Sequence, residues 1–388
     1  MRKLSDTIAR LTAMHNAAFE VTDTASAGRF SELRDFGSNP GMLKALTYLP
    51  KSLGGNAPLV VVLHGCTQSA AGYDIGAGWS EMADLQGFAL LFPEQQRQNN
   101  PNLCFNWFSP EDSRRGSGEA LSIRQMIGAV VDTYGIDPSR IFVTGLSAGG
   151  AMTSVMLATY PDVFAGGAVI AGLPYGCAAT IPQAFDRMRG QGMPREARLS
   201  TMVRDATDHA GPWPILSVWH GSGDATVNPA NATSIVGQWR ALHGANVDPD
   251  LSEPVDGYPR RVWHDQEGRE VIEEYSITGM GHGTPLDTLG DDGCGRAGPY
   301  MLDVGISSTR HICRFWDLLK NDAVDPRVAR VDSEAADRQV VPLRRASKGD
   351  GGLSAADDPQ QRKTSPADQT NGIGRVIEDA LRAAGLMR

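Results

Sequence analysis

The sequence predicts an α/β fold: a mostly parallel central sheet with helices on both faces. Three observations carry that prediction. Between Gly41 and Lys320 short apolar, β-branched runs alternate with amphipathic stretches, the pattern of repeated strand–helix–strand units. Runs such as Leu59–Leu63 and Phe88–Phe92 are apolar throughout rather than at every second residue, as strands covered on both faces require. At 388 residues the chain can bury a core of full enzymatic size, and no internal repeat suggests a solenoid.

The strands expected from these runs are Leu59–Leu63, Phe88–Phe92, Ile141–Thr144, Gly167–Ile170, Ile215–Trp219 and Glu274–Ile277. The expected helices are Trp79–Gln86, Ala120–Tyr134, Ala148–Tyr160, Ala230–Leu242 and Ser307–Leu319. Between Gly176 and Pro212 lies a stretch without clear periodicity, containing Met188, Met193 and Met202. It is placed where a cap over a site could sit, and the methionines read as packing filler.

The flanks differ in character. Residues 1–40 read as an amphipathic helix, with Leu4, Ile8, Leu11 and Phe19 on one face, followed by a linker. Residues 41–320 form the predicted catalytic domain. From 321 to 370 the sequence is polar and too poor in apolar residues to offset the entropy of ordering, so a disordered linker is expected. Residues 371–388 then carry Ile373, Val376, Ile377, Ala380, Leu381 and Ala384 at helical spacing, which predicts a short terminal helix.

Composition narrows the function classes. Hydrophobic residues at 41% and charged residues at 21% are ordinary for a globular chain, and no apolar run is long enough for a membrane span. A formal charge of −9 argues against a nucleic-acid partner. The N-terminus lacks the continuous apolar stretch of a signal peptide, which points to the cytoplasm. Oligomeric state is not legible. The five cysteines lack C-x-x-C spacing and the histidines lack H-E-x-x-H, so neither a metal nor an organic cofactor is expected.

The chemistry begins at Gly145-Leu-Ser147-Ala-Gly149. In a chain with 44 glycines a G-x-S-x-G pattern alone carries little. Here, however, Ile141–Val143 leads in as a strand and Ala148–Tyr160 continues as a helix, the setting of a nucleophile elbow in an α/β-hydrolase fold. A serine at so tight a turn has a strained backbone, and its neighbours must lack side chains for the chain to approach itself. Ser147 is thus the expected nucleophile.

A hydroxyl needs a base within reach, and in such folds the acid and the base follow the serine in that order. After the strand Ile215–Trp219 comes His220-Gly-Ser-Gly-Asp224, a turn that would present a carboxylate. After the next strand comes Gly281-His282-Gly283, where a histidine can project into a cleft. Of eight histidines, His15, His64 and His209 precede Asp224, His243 and His311 belong to predicted helices, and His264 lies in a polar hairpin-like stretch. Asp224 and His282 therefore complete the expected triad. His220 reads as a hydrogen-bonding scaffold residue.

A tetrahedral intermediate also needs N–H donors. One is expected from Ala148, the residue after the nucleophile, and one from the backbone of Cys66 in the loop His64-Gly65-Cys66 after an early strand. The Cys66 side chain has two possible fates, a free thiol or a bridge to Cys104. Trp107, Trp219 and Tyr175 fall near the predicted strand ends, where they would supply substrate-binding walls.

Taken together, His64-Gly-Cys66-Thr-Gln68, Cys104-Phe-Asn-Trp107-Phe, Gly145-Leu-Ser147-Ala-Gly-Gly150-Ala-Met152, Gly172-Leu-Pro-Tyr175-Gly and Gly281-His282-Gly resemble the esterase family of poly(3-hydroxybutyrate) depolymerases. The resemblance spans roughly Gly41 to Lys320. It implies an α/β-hydrolase fold, the triad Ser147, Asp224 and His282, and hydrolysis of short-chain hydroxyalkanoate esters as polymer or oligomer, without cofactor. Feruloyl and acetylxylan esterases, which act on plant polysaccharides, belong to the wider group and supply the alternative reading. A catalytically silent scaffold of the same fold is the third. Secreted, polymer-degrading members carry a leader and a polymer-binding module; neither is read here, which favours oligomers or small soluble esters.

Overall fold

A computed structural model describes residues 29–289 and 293–319. The expected N-terminal helix, the linker 321–370 and the terminal helix 371–388 lie outside the described residues. Along the chain run β1 (Ser31–Leu33), β2 (Lys44–Tyr48), β3 (Ala57–Leu63), α1 (Ala70–Ala77), α2 (Trp79–Gln86), β4 (Ala89–Glu94), α3 (Gly118–Tyr134), β5 (Ile136–Leu146), α4 (Ala148–Thr159) and β6 (Gly166–Ile170). There follow α5 (Ile181–Met188), α6 (Glu196–Arg204), β7 (Ile215–Gly221), α7 (Ala230–His243), β8 (Leu251–Val255), β9 (Tyr258–His264), β10 (Glu270–Ile277), β11 (Thr284–Leu286), β12 (Met301–Asp303) and α8 (Ser308–Phe315).

Among the described residues the main sheet has ten strands in the order β1-β2-β4-β3-β5-β6-β7-β10-β9-β8. Its centre, from β4 to β10, is parallel throughout. Both margins are antiparallel. Each of the six expected strands is present, and so are all five expected helices; four match to within two residues, while the last, expected to reach Leu319, ends at Phe315.

The central strands are buried on both faces because two cores sandwich them. In β3, Leu59, Val61 and Leu63 enter one core with α3, α4 and α7, while Val60 and Val62 enter the other with α1, α2 and α8. Period-two alternation thus feeds both layers from one continuous apolar run.

Two expectations need correction. The sheet begins before residue 41: β1 pairs antiparallel with β2, Ser31 opposite Thr47, so part of the expected N-terminal linker is an edge strand. Three residues with two partly exposed faces gave no periodicity to read. The stretch from Gly176 to Pro212 is not irregular throughout but holds α5 and α6, whose Met188 and Met202 pack partly buried on the core, as does Met193 between them.

Candidate active site

At the carboxyl end of β5 the chain turns sharply into α4, and Ser147 sits at the turn with φ 57° and ψ −116°. This is the left-handed side of φ that a residue with a Cβ enters only under strain. The surroundings hold it there: Ser147 N–H donates to the Ile170 carbonyl at 2.9 Å. A Cβ on Gly145 would lie 2.5 Å from the Gly149 backbone and 2.7 Å from the Leu63 oxygen, so the strand, elbow and neighbouring strand close only with glycine at that position.

Asp224 stands in the loop after β7 and is 6% exposed. Its Oδ1 accepts the N–H groups of Thr226 and Val227 at 2.8 and 2.9 Å. Its Oδ2 faces His282 Nδ1 at 2.7 Å, with His220 Nε2 3.3 Å away on the same oxygen. Burial would raise this carboxyl, but the His220 and His282 contacts and the Val227 N–H more than offset it and hold the group well below the usual carboxylate range. Asp224 is therefore ionised. Its negative oxygen keeps a proton on His282 Nδ1 and leaves Nε2 free to accept one.

The acid and base loops are locked together. Ser222 N–H donates to Ile277 O at 3.0 Å, Gly223 N–H to Met280 O at 2.9 Å, and Gly279 N–H to Ser222 Oγ at 2.8 Å. His220 Nε2 donates to Val227 O at 2.8 Å, closing the turn that carries Asp224. His220 is thus the scaffold residue expected of it. The structure records no hydrogen bond between the Ser147 hydroxyl and His282.

The donor positions lie around the elbow. Ala148 is the first residue of α4, so its N–H has no acceptor within the helix. The Cys66 N–H makes no hydrogen bond among the described residues. The register Leu63 opposite Gly145, and the approach of Gly65 Cα to the Leu146 carbonyl, with 3.5 Å from a built Cβ, bring the Cys66 loop beside the serine. Cys66 and Cys104 form a disulfide; Cys177, Cys294 and Cys313 are free and buried.

The aromatic walls divide. Tyr175 is half-buried, its backbone held by Gln238 at 3.0 and 2.9 Å, and Trp107 is 8% exposed beside Phe108. Trp219, expected to line the site, is instead fully buried in the opposite core, stacked on Tyr275 at 3.8 Å between ring centroids. Alternation along β7 decides this, since Val218 and Trp219 must point to opposite faces. Sequence reading passed over Tyr300, whose ring stands edge-on to His282 at 6.0 Å with a backbone φ of 61°. It follows a loop with no periodic signal, so only its position in space reveals it.

A serine on a strained strand-to-helix turn at the end of a central parallel strand, with an aspartate two strands over and a histidine three strands over, is the arrangement of the α/β-hydrolase class. Residues 43–249 match the family described as Esterase PHB depolymerase, and the chain belongs to that family of carboxylic ester hydrolases. It is 46% identical over 298 residues to poly(3-hydroxyalkanoate) depolymerase C of Paucimonas lemoignei, covering 76% of this chain and 72% of that protein. It is 31% identical over 270 residues to feruloyl esterase B of Talaromyces funiculosus, covering 67% and 75%. Among solved structures, acetyl xylan esterase from Aspergillus awamori superposes with a TM-score of 0.64 at 25% identity, over 75% of this chain and 99% of that one.

Proposed function

We propose that the chain hydrolyses short-chain 3-hydroxyalkanoate esters, of the poly- or oligo(3-hydroxybutyrate) type, through Ser147, His282 and Asp224. The observation that carries the mechanism is the 2.7 Å pair of Asp224 and His282, on loops that leave the same carboxyl edge of the parallel strands as the Ser147 elbow. His282 Nε2 takes the serine proton as Oγ attacks the ester carbonyl, and the ionised Asp224 stabilises the imidazolium. Oxygen charge in the tetrahedral intermediate falls to the N–H groups of Ala148 and Cys66. The imidazolium then protonates the departing alcohol, leaving an acyl-enzyme. Water attacks that ester with His282 again as base, releasing the acid. Serine–histidine bonds are commonly long before substrate arrives, so the open Ser147–His282 contact suits a resting enzyme. Tyr175 and Trp107 would wall the acyl group.

The hydroxyalkanoate preference draws on the depolymerase C relative at 46% identity. A feruloyl or acetylxylan specificity is the second reading, favoured by the esterases at 31% and 25% identity. Purified enzyme assayed on hydroxybutyrate oligomers, feruloylated sugars and acetylated xylan separates them by kcat/KM, and oligomers should lead. Ser147→Ala should lower turnover of p-nitrophenyl butyrate by several orders of magnitude with the fold intact. Retained turnover would end the triad assignment.

A further inference from the structure

Outside the triad, Glu119 and Asp74 are carboxyl groups buried without an ion pair among the described residues, and Glu119 is the one that borders the oxyanion loop. Glu119, in the first turn of α3, is 0% exposed, and among the described residues it forms no ion pair. Removing a charge from water without a counter-charge is tolerable only if hydrogen bonds satisfy it fully. They do. Oε1 accepts from Gln95 Nε2 at 2.6 Å, Asn106 Nδ2 at 2.8 Å and Asn99 Nδ2 at 3.1 Å, and Oε2 from the Asn106 N–H at 2.8 Å. Burial pushes this carboxyl up to about 8 and Asp112 adds to it, while the Asn106 and Gln95 donors pull the other way. Burial outweighs the donors, so the group keeps its proton to higher pH than a free carboxyl, and in either form it presents both oxygens as acceptors to those four N–H groups.

Two arms run from this hub to the oxyanion loop. In one, the Gln95 N–H donates to His64 Nε2 at 3.1 Å, which leaves the imidazole proton on Nδ1, and Nδ1 donates to the Gly65 carbonyl at 2.8 Å. That carbonyl belongs to the same peptide unit as the Cys66 N–H. In the other, Gln95 Nε2 also donates to the Cys104 carbonyl at 3.0 Å, and Cys104 is bonded to Cys66. Just beyond, the Thr67 N–H donates to Asn102 O at 2.7 Å. The peptide expected to donate to the oxyanion is therefore gripped on both sides by groups that converge on one carboxylate.

We propose that Glu119 is a positioning residue for the oxyanion hole, fixing the Cys66 N–H through Gln95, His64 and the Cys66–Cys104 bridge. This rests on the proposed triad and donor pair. Preorganised donors stabilise the transition state far more than the ground state. Loosening them therefore lowers kcat and spares KM, whereas a residue that only supports the fold lowers the fraction of active enzyme.

The test compares wild type with Glu119→Gln, which replaces one acceptor by an NH2 group facing donors. Active sites are counted by stoichiometric labelling with a phosphonate ester. On p-nitrophenyl butyrate, kcat per labelled site should fall roughly tenfold to a hundredfold with KM within about twofold. Inhibition by butylboronic acid, whose tetrahedral adduct places an oxygen in the same hole, should weaken in step with kcat. A wild-type kcat per labelled site, a rise in KM alone, or a fall in kcat with boronate affinity unchanged overturns the proposal. Should Glu119→Gln fail to fold, Gln95→Met cuts the same links and is read on the same quantities. Ser147→Ala in the same assay separates the failures: if it stays active the triad reading falls, and if it is dead while Glu119→Gln behaves as wild type only this inference falls.

Discussion

A methyl group on Gly149 would place its carbon 2.2 Å from the Leu63 carbonyl oxygen. The second glycine of the elbow is thus fixed by the end of the neighbouring strand β3, and the serine is aimed by contact between α4 and β3 as much as by its own turn. The atom it would meet is backbone and the carbon itself is fixed to the backbone, so neither side can give way without moving helix or sheet.

Gly149→Ala should consequently cost stability as well as activity. Overpacking of this kind costs about 1–3 kcal/mol or more, and relief would require α4 to retreat from β3. Urea denaturation should show a lower midpoint, and p-nitrophenyl butyrate turnover should fall even in the folded fraction. Wild-type stability with wild-type turnover would show that the elbow tolerates a side chain there.

Asp224→Asn should act through a tautomer. Thr226 and Val227 N–H groups both claim Oδ1, so the amide oxygen of an asparagine stays on that side and its NH2 takes the place of Oδ2. Facing a donor, His282 Nδ1 must accept, and the ring proton moves to Nε2, where the serine proton should go. Turnover should drop by about 10⁴-fold with little change in the fold. A loss under tenfold would mean that Asp224 does not set the state of His282.

The sequence announced this site because its parts are local signals: a serine between glycines at a strand end, and a carboxylate and a histidine in glycine-flanked turns in the right order. The parallel strands were legible because burial on both faces leaves unbroken apolar runs such as Leu59–Leu63. The marginal antiparallel strands β8 and β9 showed only as a polar, hairpin-like stretch around His264, since their residues alternate between partial exposure and ion pairs such as Arg260 with Glu253 and Glu273. Glu119 stands just before the expected helix Ala120–Tyr134 and carries no signal of its own; its burial and its four donors come from the way the segment 95–106 folds back over it. Which face a strand-end aromatic takes depends on register, and that misplaced Trp219.

The corrected position of Trp219 has its own consequence. Its ring lies flat on Tyr275 at 7° between planes, and its Nε1–H donates to Ser217 Oγ at 2.8 Å. Trp219→Phe should cost about 1–2 kcal/mol from lost area and a lost hydrogen bond. Thermal unfolding should come earlier while KM for short esters stays put. A changed KM at unchanged stability would return Trp219 to the substrate site.

Stability should also carry a signature of Asp74. This carboxyl is 1% exposed, accepts the Ser80 N–H and hydroxyl at 2.7 Å each, and is pushed by burial to about 6 from 3.8. Because its acidity is weaker in the folded state, the native protein binds a proton between those two values that the unfolded chain releases. The group's contribution is therefore largest below about pH 4 and declines as pH rises through about 6, by an amount on the order of 3 kcal/mol. Asp74→Asn removes the titration while keeping a side chain of the same shape. Measured by urea unfolding, the stability of wild type minus that of the variant should fall between pH 4 and 6 and be level above about 7. If the difference instead rises across that window, Asp74 is held as a stabilised anion by Ser80 and the effect of burial is the smaller of the two.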